Sequence, residues 1–234
     1  MTENKNQGGG IARLAASGLV LLILPVLLMS LAGNWGWLEG WVFSLWYIGL
    51  SYTVVFYQYF ENPALLEERR SGHRAKNRPV WDQRVGVVAF LGFLTWLIVM
   101  PLESQRYGWT DGFPTWVKIV GLVGLIPSAY LILQTYIVNA YLARVVRVQE
   151  DRGQQVVTSG VYGFVRHPMY LGSALFFICG PLLMESILGL GLGVFMILVL
   201  AYRITREEVL LVEDLEGYAE YRQKTKYRLI PGIW

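Results

Sequence analysis

Two short clusters of ionisable and aromatic residues are the parts of this chain best suited to chemistry. The first is Arg166-His167-Pro168-Met169-Tyr170, where a polar segment runs into an apolar one. The second is Arg203-Ile204-Thr205-Arg206-Glu207-Glu208, at the end of the next apolar run. Arg203 and Glu207 are four residues apart and share a helix face, so an intrahelical ion pair is their simplest interpretation. Charge at membrane depth is costly and usually functional, so we treat the two clusters as one candidate site.

Pro168 sets the local geometry of the first cluster. Proline disfavours helical backbone at the preceding residue and suits the first turn of a helix. The sequence therefore predicts that a helix begins at Pro168, with His167 just ahead of its N-terminus. The unpaired amides of such a terminus favour an anionic group, for example a carboxylate. Gly172, in the first turns, allows a second helix or a ligand to approach closely.

The elements that position these residues are membrane helices. Of the 234 residues, 54% are hydrophobic and only 16% are charged, against about 25% charged in an average soluble domain. The mean hydropathy is +0.41, and the apolar residues form long runs, most of which reach the ~20 residues of a membrane span. We therefore predict an all-α, polytopic helical bundle with about six transmembrane helices. The spans lie at approximately 11–32, 41–60, 85–101, 116–138, 170–183 and 187–202.

The first of these runs is too long for a typical signal-peptide core, so we expect it to be a retained span. The distribution of Lys and Arg indicates the orientation. With six spans, 18 of the 20 Lys and Arg residues share one side, and only Arg106 and Lys118 lie on the other. The positive-inside rule makes the basic side cytoplasmic. We therefore expect a multi-pass membrane protein with both termini and the active site cytoplasmic. We also expect two parts, spans 1–4 over residues 1–138 and a functional core over 139–234.

The two longest polar connections lie on the cytoplasmic side. Residues 139–151 mix apolar and charged side chains at a spacing typical of an interfacial helix. A short extended stretch, 154–158, follows this helix. Residues 61–84 are predicted to be a solvated, membrane-facing loop. The basic, aromatic tail 224–231 suits lipid headgroups.

Other kinds of site find no support in the sequence. His73 and His167 are the only histidines and are far apart, and Cys179 is the only cysteine, so we expect no metal site. The chain has no Gly-rich phosphate loop and no Ser-His-Asp set. It also lacks the basic, aromatic-interleaved stripe of a nucleic-acid-binding protein, so we expect no nucleic-acid partner.

The run Val157-Thr158-Ser159-Gly160-Val161-Tyr162-Gly163-Phe164-Val165-Arg166-His167-Pro168-Met169-Tyr170-Leu171-Gly172 resembles the signature of the isoprenylcysteine carboxyl methyltransferases. It is also similar to their bacterial and archaeal relatives and to the phospholipid N-methyltransferases. The Arg203…Glu207-Glu208 helix and the Tyr218…Tyr221…Arg228…Pro231 tail match as well. The resemblance covers residues 139–231, and it is specific for the superfamily but much less so for the substrate.

The resemblance implies S-adenosylmethionine as the cofactor, in a cytoplasmic-side pocket formed by the 139–169 loop and the C-terminal helix. The methyl acceptor would be a prenylcysteine-type carboxylate, or a related thiol or lipid, that enters from the bilayer. Arg203 and Glu207 are the candidate catalytic residues, with Arg203 associated with the acceptor. Carried over by position, the cofactor-binding residues are Arg147, Gln154, Gln155, Val156, Val157, Tyr162, His167, Pro168, Met169, Tyr170, Glu207 and Glu208.

Two departures from the family pattern leave the acceptor open among a carboxylate, a thiol and an amine. Gln154 stands where the carboxyl methyltransferases usually have His. The arginine of the helix before the loop has no counterpart, because that position is Leu131, with Gln134 nearby. The membrane sterol or ene reductases are an alternative class, since they share a similar C-terminal core and an Arg-His-Pro-x-Tyr-x-Gly run but use NADPH. A non-catalytic, lipid-binding membrane protein is a third alternative.

Overall fold

The structure is a computed structural model that describes residues 22–71, 78–110 and 112–234. Over these residues the protein is built from helices without strands, as predicted. Two short 3-10 turns, Glu150–Arg152 and Gly160–Gly163, lie in the loop that precedes α6. The helices are α1 (Ile23–Ala32), α2 (Leu38–Phe60), α3 (Pro63–Ser71), α4 (Val80–Pro101, continued as a π-helix over Leu102–Arg106), α5 (Thr115–Val138), α6 (Pro168–Leu183), α7 (Ile187–Asp214) and α8 (Tyr218–Lys224).

Three helices among the described residues are long and apolar enough to cross a membrane, namely α4 with its continuation, α5 and α7. Two further apolar helices, α1 and α6, are shorter, with 10 and 16 residues. The predicted first span begins at residue 11, so its first half and its retention lie outside the described residues. The helix α2 covers the predicted second span. The number of six spans remains a prediction.

The helix α7 extends well beyond the predicted end of the sixth span at residue 202. It has 28 residues, which corresponds to about 42 Å at 1.5 Å per residue. A hydrocarbon core is about 30 Å thick, so the C-terminal part of α7 reaches past it. The helix continues because Arg, Glu and Leu, which dominate this part, are good helix formers. The chain turns at Gly217, whose φ of +81° suits glycine, and α8 follows.

The two polar connections differ from the prediction. Residues 139–149 do not form the expected interfacial helix and have irregular backbone. The reason is tertiary, since the side chains that would have faced solvent bind elsewhere in the protein. For example, Arg147 Nη2 donates to Glu68 Oε2 on α3 at 3.0 Å. Residues 61–84, predicted as a solvated loop, contain α3, in which Leu65 is fully buried.

An aromatic core joins α2, α4 and α6. The side chains of Phe43 and Trp96 are fully buried. The ring of Phe176 stacks on Phe43 at a centroid distance of 5.7 Å and lies 5.0 Å from Trp96. Such ring pairs contribute about 0.5–1.5 kcal/mol beyond their buried area, so this cluster fixes the bundle against which the site is built.

The helices α5 and α6 pack closely because glycines face their contact. A Cβ atom on Gly121 would lie 2.5 Å from the Leu183 amide nitrogen, and one on Gly172 would lie 3.0 Å from the Ser128 carbonyl oxygen. The Ser128 hydroxyl donates to the Gly172 carbonyl at 2.7 Å. This contact places the start of α6, with His167 and Tyr170, beside the end of α5.

We expect Gly121→Val to destabilise the protein, because its side chain would collide with backbone atoms of α6 that cannot rotate aside. Overpacking of this kind costs about 1–3 kcal/mol. Thermal unfolding in detergent should show a lowered Tm. The matched control is Gly49→Val, since a Cβ atom there meets nothing within 4 Å. Equal melting temperatures for the two variants would contradict the close contact.

Candidate active site

One cavity lies where the end of α5, the start of α6 and the C-terminal part of α7 meet the 139–169 loop. Its volume is about 120 Å³, whereas a single buried water needs roughly 10–15 Å³ by the same measure. The cavity therefore has room for a ligand many times larger than water. Among the predicted site residues, those that line it are Arg147, Gln154, Gln155, Val156, Val157, Tyr162, His167, Pro168, Met169, Tyr170, Arg203 and Glu207.

The two sequence clusters meet through a hydrogen bond between α6 and α7. The Tyr170 hydroxyl donates to Glu207 Oε2 at 2.7 Å. As predicted, α6 begins at Pro168, and His167 is its N-cap residue, with φ −125° and ψ 63°. The His167 ring stacks on the Tyr170 ring at 5.6 Å. The first turn of α6 and the residue before it thus contribute two ring side chains to the site. The hydrogen bond from Tyr170 holds the Glu207 carboxylate of α7 beside them.

Arg203 does not form the ion pair with Glu207 that the sequence favoured. Its Nη2 lies 3.0 Å from Asp82 Oδ1 on α4, as a charge contact without hydrogen-bond geometry, and donates to the Arg144 carbonyl at 2.7 Å. Asp82 is fully buried and also binds Arg78 Nε at 2.7 Å. Arg203 Nε is buried and has no partner among the described residues. Arg203 is therefore held by residues that do not line the cavity, and its Nε donor is unused among the described residues.

Glu208, predicted to contact the cofactor, is not among the residues that line the cavity. It is only 2% exposed and binds three cationic or titratable side chains. Its Oε1 accepts from Arg166 Nε at 2.6 Å and lies 3.2 Å from His167 Nε2, and its Oε2 accepts from Arg228 Nε at 2.8 Å. Glu208 is therefore an anchor that fixes the orientation of His167 without lining the cavity itself.

The C-terminal tail completes this anchor. The Arg166 and His167 amides donate to the carbonyls of Tyr227 and Arg228 at 2.9 and 3.0 Å. Arg166 Nη1 donates to the carbonyls of Thr225 and Lys226 at 2.7 and 2.8 Å. Arg166 reaches the cavity wall, but its guanidinium is committed to Glu208 and the tail. The tail that seemed suited to lipid headgroups thus supports the site.

Tyrosines form a second polar wall. The Asn139 side-chain amide donates to the Tyr162 hydroxyl, and the Tyr221 hydroxyl donates to the Tyr162 carbonyl, both at 2.7 Å. Burial raises the pKa of the Tyr162 phenol and raises the pKa of Tyr221 to about 12. Both phenols are therefore neutral near pH 7. The Tyr218 hydroxyl is buried and has no partner among the described residues.

Part of the cavity wall is apolar. Val156 packs with Leu211, Leu215 and Tyr218 in a small cluster, and each of these residues lines the cavity. Gln154 also lines the cavity, but its Oε1 accepts from the Gln149 amide at 2.8 Å within the loop.

Sequence reasoning missed several lining residues, because Val, Leu and Tyr carry no chemical signal of their own. Only the resemblance in the tail could have indicated Tyr218 and Tyr221. The cavity residues that were not predicted are Asn139, Tyr141, Leu142, Ala143, Val145, Val146, Arg166, Leu211, Leu215, Tyr218 and Tyr221.

Two comparisons show what this chain is similar to. A family model of phospholipid methyltransferases matches residues 116–216, a segment that includes both sequence clusters. The structure of a eukaryotic intramembrane Ras methyltransferase, an isoprenylcysteine carboxyl methyltransferase, superimposes with a TM-score of 0.52 at 18% identity. The match covers 92% of this chain and 74% of that one, and at this identity it shows a common fold. No curated protein matches the sequence.

The family segment contains nearly all of α5, the loop, α6 and α7, which form most of the cavity wall, while Tyr218 and Tyr221 on α8 lie beyond it. The common fold extends over nearly the whole chain, including the helices outside that segment. The chain is thus similar over residues 116–216 to the phospholipid methyltransferases, and it shares the fold of an intramembrane methyltransferase.

Proposed function

We propose that the protein transfers a methyl group from S-adenosylmethionine to a lipophilic acceptor, a prenylcysteine-type carboxylate or a related thiol or lipid. The observation that carries this proposal is the convergence of the predicted residues. Side chains from the 147–162 stretch, the start of α6 and the middle of α7 are far apart in the sequence, yet they line one cavity. Each of these residues is assigned separately, by its position in the family pattern. That they line the same cavity supports the view that they bind one ligand.

The cavity wall has both apolar and polar parts, as this cofactor does. We assign the apolar residues Val156, Leu211 and Leu215 to the adenine. We assign His167 and the Glu207 carboxylate to hydroxyl and amino groups. The Tyr218 hydroxyl and Arg203 Nε are buried without partners among the described residues. Such groups are unfavourable when left unsatisfied, and they add hydrogen-bonding capacity that a polar ligand can use.

When bound, S-adenosylmethionine supplies an electrophilic methyl group on a sulfonium cation. The protein's part is to align the acceptor with that group and to keep water away. With an anionic acceptor the reaction neutralises charge, so a poorly hydrated site favours the transition state over the separated ions. Alignment alone can supply several kcal/mol. We assign acceptor binding to Arg203, which Asp82 holds at the α4 side of the cavity.

We also propose that the cavity and both termini face the cytoplasm, and that residues 139–234 form the functional core. The orientation rests on the asymmetry of Lys and Arg. It places the cavity where soluble cofactor is available, while a lipophilic acceptor approaches through the bilayer.

We expect His167→Ala and Glu207→Ala each to weaken binding of S-adenosylhomocysteine, the demethylated cofactor, by about tenfold or more, because each removes a polar contact worth about 1–3 kcal/mol from a partly dry site. Isothermal titration calorimetry on the purified protein measures this directly. The control is Glu213→Ala, an exposed carboxylate on the same helix that does not line the cavity.

Wild-type affinity in both variants would refute the assignment of these residues. NADPH serves as the comparison ligand. Binding of NADPH without binding of S-adenosylhomocysteine would instead favour the reductase class. Binding of neither ligand would favour a non-catalytic protein.

A further inference from the structure

The helix α3 braces the cavity wall from outside. Leu65, fully buried, anchors α3 in an apolar cluster with Tyr136, Leu142 and Met169. Arg69 Nη1 donates to the Leu142 carbonyl at 2.9 Å, and its guanidinium lies 4.9 Å from the centre of the Tyr136 ring. One turn of this short helix therefore holds the first residues of the irregular loop that forms the cavity.

The second attachment of α3 is an ion pair with Arg147. Glu68 accepts from Arg147 Nη2 at 3.0 Å and from its Nε at 3.3 Å, in a two-pronged contact. The Glu68 side chain is only 9% exposed. Glu68 and Arg147 are 79 residues apart in sequence, so this contact is purely tertiary. Two-pronged pairs of this kind fix orientation as well as charge.

The guanidinium of Arg147 has no donor nitrogen left unused. Its Nη1 binds Asp151 at 2.8 Å, while Nε and Nη2 bind Glu68. Two carboxylates on one cation leave the group with a local excess of negative charge, which opposes an anionic ligand. Arg147 lines the cavity, but this contact pattern makes it part of the wall.

The irregular loop depends on such contacts. The backbone groups of a loop without regular structure are not paired in a helix or sheet, so they need side chains, water or other segments as partners. The residues that provide them here, Glu68 and Arg69, lie outside the 116–216 segment that defines the family match. The brace is therefore a property of this chain's N-terminal half and not of the matched core.

We propose that Glu68 is a positioning residue for the cofactor site, which acts by holding Arg147 and with it the 142–147 wall of the cavity. The proposal rests on the proposed function only for the identity of the ligand. Glu68 does not line the cavity, so it influences binding only through the wall.

The test compares two carboxylates that hold the same guanidinium. Glu68→Gln should weaken S-adenosylhomocysteine binding by about tenfold. This is near the lower end of the free-energy loss expected when a hydrogen bond to a charged group is broken. Asp151→Asn is the matched control, because the Asp151 side chain is 62% exposed and exposed ion pairs contribute little. Its affinity should stay within about twofold of wild type. Calorimetry gives the affinities, and thermal unfolding shows whether each variant is folded.

A double-mutant cycle tests whether Glu68 influences ligand affinity through Arg147. Lysine in Arg147→Lys keeps the charge but cannot make the two-pronged contact. If Glu68 acts through Arg147, Glu68→Gln should change the affinity less than about twofold in the Arg147→Lys background. In the ligand-free protein, hydrogen exchange of the amides from 142 to 149 should also be faster in Glu68→Gln than in Asp151→Asn.

The outcomes separate the two proposals. A wild-type protein that fails to bind S-adenosylhomocysteine refutes the proposed function, while the hydrogen-exchange comparison still tests the brace. If the wild-type protein and Glu68→Gln bind S-adenosylhomocysteine equally well, the positioning role of Glu68 is overturned. An undiminished effect of Glu68→Gln in the Arg147→Lys background overturns it as well.

Discussion

Glu208→Ala should lower the Tm of the protein by on the order of 10 °C and abolish binding of S-adenosylhomocysteine. The substitution leaves Arg166, His167 and Arg228 around a site with no carboxylate. Arg166 and His167 are only 5% and 6% exposed, so their charge and donors lose a buried partner that bulk water does not replace at the same strength. Removal of one member of a buried ion pair typically costs about 3–5 kcal/mol. Thermal unfolding and calorimetry on the same sample measure both effects.

The controls distinguish charge from shape. Glu208→Gln keeps the size and a hydrogen-bond acceptor, so its Tm should fall between those of wild type and Glu208→Ala. Glu213→Ala removes an exposed carboxylate from the same helix, and its Tm should remain close to that of wild type. If Glu208→Ala retained the wild-type Tm, Glu208 could not be the anchor that holds the tail and the first turn of α6 together.

Asp82→Asn should lower the rate of methyl transfer while leaving cofactor binding nearly unchanged. Asparagine removes the charge that holds Arg203, and a misplacement of about 1 Å in a catalytic site can lower the rate about 10²-fold. Because Asp82 does not line the cavity, we expect the affinity for S-adenosylhomocysteine to stay within a few-fold of wild type. Methyl transfer is measured as label that passes from S-adenosylmethionine into the extractable lipids of membranes from expressing cells.

The comparison variant is Arg78→Gln, which removes the other cationic partner of the same carboxylate and leaves the contact between Asp82 and Arg203 in place. It should retain most of the activity. Equal losses in Asp82→Asn and Arg78→Gln would show that the network stabilises α4 and does not position Arg203. A loss of cofactor affinity equal to the loss of activity in Asp82→Asn would contradict the division of roles between Arg203 and Glu207.

Much of the site could be predicted, because its polar residues lie in local sequence signals. Pro168 determines where α6 begins, and the helical spacing of Arg203 and Glu207 puts both on one face of α7. The partners of these residues could not be predicted. Asp82 competes with Glu207 for Arg203, and the choice depends on how α4 packs against α7. The position of Glu208 outside the cavity could not be predicted either. Neighbouring residues on a helix point in different directions, and only packing shows which one faces a ligand.

The loop 139–149 shows the limit of pattern reasoning most clearly. Its alternation of apolar and charged residues is compatible with an interfacial helix, but the tertiary contact of Arg147 with Glu68 on α3 replaces that local structure. By itself, the sequence determined the all-helical membrane architecture, the start of α6 and the two polar clusters, because hydrophobic length and proline geometry act over short distances. Only the tertiary structure decided which carboxylate holds which arginine and which side chains share the cavity. Those contacts join residues from separate helices, and their energies depend on burial that no local pattern contains.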